Sequence, residues 1–217
     1  TANIKNEKGK TTYTQMLNRD GGIEADITVV CLDKDYFRVV SSAAVQNRDK
    51  HHILKILDTN VEFTDVTDEY ACLGIFGPKS RNLITEIAGD LFQTKNFPFG
   101  TGKNIIIKGI KVWAQRLSYV GELGWEIYIP IKSAKKIYDE VIKVGTKYDL
   151  CHAGAHAMDI LRMEKGYLHW GHDISPEENQ YEAGLNFAIS FKKNVDFIGR
   201  DVLVRKKNEK PKKKLII

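Results

Sequence analysis

The sequence predicts an α+β fold of two antiparallel-sheet units with flanking helices. Runs that alternate with period two are joined by tight turn signals, as where Thr12–Leu17 and Ala25–Cys31 flank Asp20-Gly21-Gly22. Helical runs follow hairpins instead of alternating one for one with strands, which disfavours a doubly wound parallel sheet. The 217 residues, 42% apolar and 28% charged, suffice for one large domain or two small ones of ordinary globular composition.

In chain order, the first two strands are followed by a third over Tyr36–Ser41, giving a meander. The spacing predicts a helix over Asn47–Leu57 with Ile53, Leu54 and Leu57 on one side, and a strand from Val61 to Val66 behind it. A second unit starts at Glu69 with the strand YACLGIF. Pro78 and Gly89 bracket a helix containing Leu83, Ile84 and Ile87. A hairpin across Lys108-Gly109 joins Asn104–Ile107 to Val112–Tyr119, and GELG turns the chain into Trp125–Ile129. Ser133 is placed to cap a helix carrying Ala134, Ile137, Tyr138, Val141 and Val144, and a last helix spans about His152–Lys165, ending at Gly166.

Composition narrows the function classes. No run of about 18 apolar residues exists, so no membrane partner is expected. The N-terminus lacks an apolar signal core, which makes a reducing cytoplasm the expected compartment. Cys31, Cys72 and Cys151 are widely spaced and read as small core residues. The net charge of +5 comes from the tail Arg205–Lys214, which alone carries +6 and leaves the rest at −1. A body of that charge is not built to track nucleic acid. The chain starts at a threonine and ends in KKKLII, the beginning of an apolar strand, and so reads as a partial one.

Candidate chemistry sits on strands. In Trp125-Glu126-Ile127-Tyr128-Ile129, alternation puts Glu126 and Tyr128 on the face opposite Trp125, Ile127 and Ile129. By spacing alone Glu126 reads as a surface charge; facing a cavity, it would need donors. A pterin ring offers two parallel N–H donors that a carboxylate accepts as a fork. Tyr119 shares its alternating set with Gln115 and Leu117, and serves either the core or that cavity. Asp26 lies opposite the apolar set Ala25, Ile27, Val29 and Cys31, as an edge charge or a functional group. Arg162, three residues after Asp159, has a surface ion pair as its plain explanation and a ligand carboxylate as its alternative. His152 and His156 are four apart on the expected helix but lack the glutamate of HExxH and a clear third ligand, so no metal is expected. FGTGKN fails both the Walker and the dinucleotide patterns.

Five segments taken together, MLNRDGGIEADITV, LGIFGP, RLSYVGELGWEIYIP, AMDILRMEKGYLHWGHDI and YEAGL, resemble in order the glycine-cleavage T-protein (aminomethyltransferase) family. YVGELGWE and YLHWGHDI resemble most closely the folate domain of dimethylglycine and sarcosine dehydrogenases. The resemblance implies a tetrahydrofolate-binding fold with residues 1–68 as a first unit carrying Asp26 and residues 69–205 as a second carrying Tyr119, Glu126 and Arg162. Residues 206–217 would be a basic linker into a C-terminal barrel lying outside the chain.

The same resemblance gives Asp26 a place beside the reactive nitrogens of tetrahydrofolate and gives Tyr119 and Glu126 the pterin. Arg162 carries over from the helical LRxE, and Trp170 is added as a wall. Ser42 stands where the family commonly has asparagine, which leaves that folate contact in question. The implied reaction is capture of an iminium or aminomethyl carbon to give 5,10-methylenetetrahydrofolate. A small methylated amine or aminomethyl compound would be the donor, and a flavin dehydrogenase domain or a lipoyl carrier protein the partner. A methyltransferase or demethylase on the same scaffold, and a non-enzymatic regulatory module, are the alternatives.

Overall fold

Turn chemistry and apolar alternation set the first sheet. In a computed structural model, which describes residues 1–211 and 213–216, β1 (Thr11–Leu17), β2 (Ile23–Asp33) and β3 (Tyr36–Val40) form an antiparallel meander. The β1–β2 turn is held by Asn18, whose Oδ1 accepts from the amides of Asp20 (3.0 Å) and Gly22 (2.8 Å). Gly22 is required by close approach, since a Cβ there would lie 1.8 Å from the Pro176 carbonyl oxygen. The expected alternation holds: Ala25, Ile27 and Val29 form a buried cluster on one face, and Asp26 lies on the other, in register with Gln15.

The second sheet orders β4 (Tyr70–Phe76), β7 (Gly124–Pro130), β6 (Ile110–Gln115) and β5 (Gly102–Ile107), all antiparallel. One face packs against α2 (Ser80–Ala88) and α3 (Ala134–Gly145). Trp125, fully buried, meets Phe92 edge-on with centroids 5.3 Å apart, and Ile127, Ile137 and Val141 join the same core. Burial of this kind is worth about 25 cal/mol per Å² of apolar surface and dominates the unit's stability. The opposite face carries Glu126 and Tyr128 with their cross-strand neighbours.

The chain divides into a first unit of Thr1–Phe63 with Leu168–Ile217 and a second of Thr64–Tyr167. The second unit therefore closes at Tyr167, short of the expected 205. The returning segment completes the first unit's core, where Leu168, Ile174, Leu185 and Leu203 pack with Leu17 and Ile23. Leu203 lies on α5 (Arg200–Lys206). Part of the expected linker also docks: the Leu215 amide donates to the Glu182 carbonyl (3.0 Å) and Lys213 pairs with Glu178.

Several sequence expectations are corrected. Helix α1 (Gln46–Ile56) forms where predicted, but Leu54 and Ile56 are about half exposed and its buried residue is Asp49. Residues 61–66 form no strand. Asp58 and Asp65 accept from the amides of Asn60 and Thr67, local turns that compete with pairing. Strand β6 stops at Gln115, whose carbonyl takes the Leu117 amide (3.1 Å), so Tyr119 stands on a loop. Helix α4 (Ala155–Glu164) starts after His152, which instead shares a 2.6 Å hydrogen bond with the Tyr138 hydroxyl. Ser133 sits at the α3 N-cap without a side-chain capping bond, and Cys72 and Cys151 are exposed rather than core residues.

Candidate functional site

In the first unit, β1 and β2 bring three polar side chains onto one face. Asp26 Oδ2 accepts from the Tyr13 hydroxyl (2.9 Å) and Oδ1 from Gln15 Nε2 (2.8 Å). The Gln15 amide is fixed from behind, because its Oε1 accepts from Gln180 Nε2 (2.6 Å). Both donors to Asp26 are neutral. Burial consequently raises the Asp26 pKa from 3.8 to about 6, the two hydrogen bonds pulling the other way. Sequence reasoning passed over Tyr13, Gln15 and Gln180. The signal was available for Gln15, a glutamine at a strand position facing Asp26 once the hairpin register is drawn.

In the second unit, β7 presents Glu126 with Gly74 of β4 on one side and Gln115 of β6 on the other. The Tyr128 hydroxyl donates to Glu126 Oε2 at 2.8 Å, while Oε1 has no hydrogen-bond partner among the described residues. Burial pushes the Glu126 carboxyl up from its usual range, and the Tyr128 bond offsets part of this. The same burial, with the Glu126 charge beside it, pushes the Tyr128 hydroxyl up strongly, so it stays a donor. A Cβ on Gly74 would lie 2.5 Å from the Phe76 ring, so that ring fills the space over Gly74 next to the carboxylate.

The other expected residues have defined surroundings. Tyr119 is half-buried on its loop and stacks on Tyr167, centroids 6.4 Å apart and 22° between planes. Arg162 is 1% exposed; its Nε and Nη2 lie 2.7 Å from Asp159 Oδ1 and its Nη1 donates to the Tyr167 carbonyl (3.0 Å). The ion pair expected from spacing is present, but the arginine is buried instead of on the surface. It ties the end of α4 to the residue that stacks on Tyr119. In the first unit, Trp170 Nε1 donates to the Ile23 carbonyl (2.8 Å) and the Arg48 guanidinium lies 4.3 Å from the ring centroid, so this indole anchors the returning segment to β2. Ser42 is half-buried ahead of a single 3₁₀ turn and makes no side-chain capping bond to it. Among the described residues no group of three or more His, Cys, Asp and Glu side chains could hold a metal, and no helix is long and apolar enough to cross a membrane.

Two antiparallel sheets with flanking helices, each presenting a partly buried carboxylate on a strand face, define the class. The fold is that of a solved aminomethyltransferase T of the glycine cleavage system from Bartonella henselae, with a TM-score of 0.79 at 23% identity over 94% of this chain and 55% of that one. The chain belongs to the GCVT N-terminal domain family, whose model matches residues 1–193. It is 34% identical to mitochondrial sarcosine dehydrogenase from Homo sapiens over 99% of this chain, and 34% identical to an aminomethyltransferase from Halothermothrix orenii over 97% of it. The chain spans 25% of the first relative's length and 58% of the second's. The resemblance read from the five ordered segments is thus borne out.

Proposed function

We propose that this chain binds tetrahydrofolate and takes part in one-carbon transfer, receiving an iminium or aminomethyl carbon to give 5,10-methylenetetrahydrofolate. The observation that carries the reading is Glu126, a half-buried carboxylate with one oxygen held by Tyr128 and the other without a hydrogen-bond partner among the described residues. A fork of ring N–H and exocyclic amine donors fits that acceptor and offsets its desolvation. Tyr119, backed by Tyr167, gives a flat aromatic surface for the ring system, and Arg162 positions that pair through the Tyr167 carbonyl. Trp170 is added as a wall of the site, and Ser42 stands where the family resemblance expects an asparagine that contacts folate.

The folate supplies the nucleophilic nitrogen when bound. Asp26 supplies charge: with two neutral donors holding it, it stabilises positive charge developing at carbon and nitrogen. Near pH 6 it also exchanges a proton readily, an effect typically worth about 10²–10⁴-fold. A small methylated amine or aminomethyl compound would be the donor, with a flavin dehydrogenase domain or a lipoyl carrier as the partner. Calorimetric titration of the intact protein with tetrahydrofolate tests the reading. Binding is expected for the wild type, and its loss by more than about 100-fold for Glu126→Gln, which removes the charged fork. Equal affinity in the two proteins refutes the assignment of Glu126, and binding without turnover favours a regulatory module.

A further inference from the structure

Beside Glu126, β6 places a side chain whose hydrogen-bonding capacity is wholly unspent. Gln115 is 0% exposed, and neither its Nε2 nor its Oε1 has a hydrogen-bond partner among the described residues. Leaving a buried donor or acceptor unpaired costs about 1–3 kcal/mol for each group, and a leucine or methionine of similar volume would avoid the cost altogether. Its strand neighbours do not relieve it. On one side Gly102 has no side chain, and the Trp113 indole occupies the space a Cβ would need, at 2.6 Å. On the other side stands Glu126 itself, in register. Residues paired across a sheet have Cβ atoms about 5 Å apart, the width of one heteroaromatic ring.

We infer that Gln115 is a second hydrogen-bonding arm of the Glu126 site, reading the ligand edge next to the one the carboxylate grips. This rests on the folate reading above. An amide offers a donor and an acceptor side by side, so it selects an edge carrying an acceptor beside a donor. A tetrahydropterin has such an edge, the 4-oxo oxygen next to N5–H. The Nε2 group donates to the oxygen and Oε1 accepts from the N–H. A folate substituted at N5 keeps the fork but loses the second donor, so Gln115 favours the unsubstituted form. Sites built to pair a substrate N–H discriminate strongly against analogues lacking it, because their own buried group is left orphaned.

The test is Gln115→Met in the intact protein, with calorimetric affinities for tetrahydrofolate and 5-formyltetrahydrofolate and a melting curve without ligand. Expected are an unchanged or raised melting temperature, an affinity for tetrahydrofolate about tenfold lower or worse, and a narrowed preference for it over the 5-formyl compound. Gln115→Leu serves the same comparison should the methionine variant fail to fold. Unchanged affinity and unchanged preference overturn the inference, the amide then being one met by internal water. A wild type that binds neither folate overturns the folate reading and this arm with it.

Discussion

Asp26 differs from a surface carboxylate in having company without compensation. Tyr13 and Gln15 hold both oxygens, yet neither carries positive charge. The native state therefore holds the Asp26 proton more tightly than the unfolded chain, and stability falls as pH rises from about 4 to about 6. A carboxyl raised from 3.8 to about 6 gives up on the order of 3 kcal/mol across that window. Asp26→Asn can keep both contacts, accepting from Gln15 and donating to Tyr13. The variant is expected to melt above the wild type at pH 8, with the difference gone by about pH 4. It should also lose most of its transfer rate while binding tetrahydrofolate as before. Turnover equal to the wild type's at pH 7 would remove Asp26 from the chemistry.

At the scale of elements, sequence periodicity found the strands of both sheets where one face is committed to a core, and found β3, which buries no side chain, from its β-branched and aromatic residues after the Asp33-Lys34-Asp35 turn. Ile127 and Trp125 announce β7 by what they bury. It overreached where an alternating stretch has no neighbour to pair with, at residues 61–66, and where a strand simply ends, at Gln115. Periodicity also left Glu126 as a surface charge, since a face covered unevenly and a face in water look alike in one strand. The partners of Asp26 lay out of reach for a different reason. Gln180 meets Gln15 from 165 positions away, and no local pattern encodes that. The hairpin before β2 bears a related long-range constraint. Gly22→Ala would drive a Cβ into the Pro176 carbonyl at 1.8 Å and must move backbone. A loss of about 3 kcal/mol is expected on overpacking grounds, read as a lower urea midpoint, whereas a loss below about 0.5 kcal/mol would mean that the segment around Pro176 yields freely.

On the scale of the whole molecule, the sequence suggested two consecutive units and the chain makes two interleaved ones. The second, Thr64–Tyr167, is continuous and owns its core; the first needs both ends of the chain. The discontinuity was hidden because YLHWGHDI and YEAGL follow α4 without any break in composition. A fragment spanning 64–167 is expected to give a cooperative melt by itself. Residues 1–63 alone should not, lacking Leu168, Ile174, Leu185 and Leu203. The reverse result, a cooperative 1–63, would mean the meander is sufficient without its returning segment.

The return of the chain to the first unit also sets an order in time. During synthesis β1, β2 and β3 emerge first, yet Leu203 must leave the ribosome before their core can close. The later-starting unit is complete sooner, and its contacts are nearer in sequence, so loop closure opposes it less. Trp113 and Trp125 report on that unit and Trp170 on the other. In refolding of single-tryptophan variants, the Trp125 signal is expected to recover ahead of Trp170. The unfinished meander would meanwhile expose Leu17 and Ile23, making the first half of the chain the part that most needs protection while it is made.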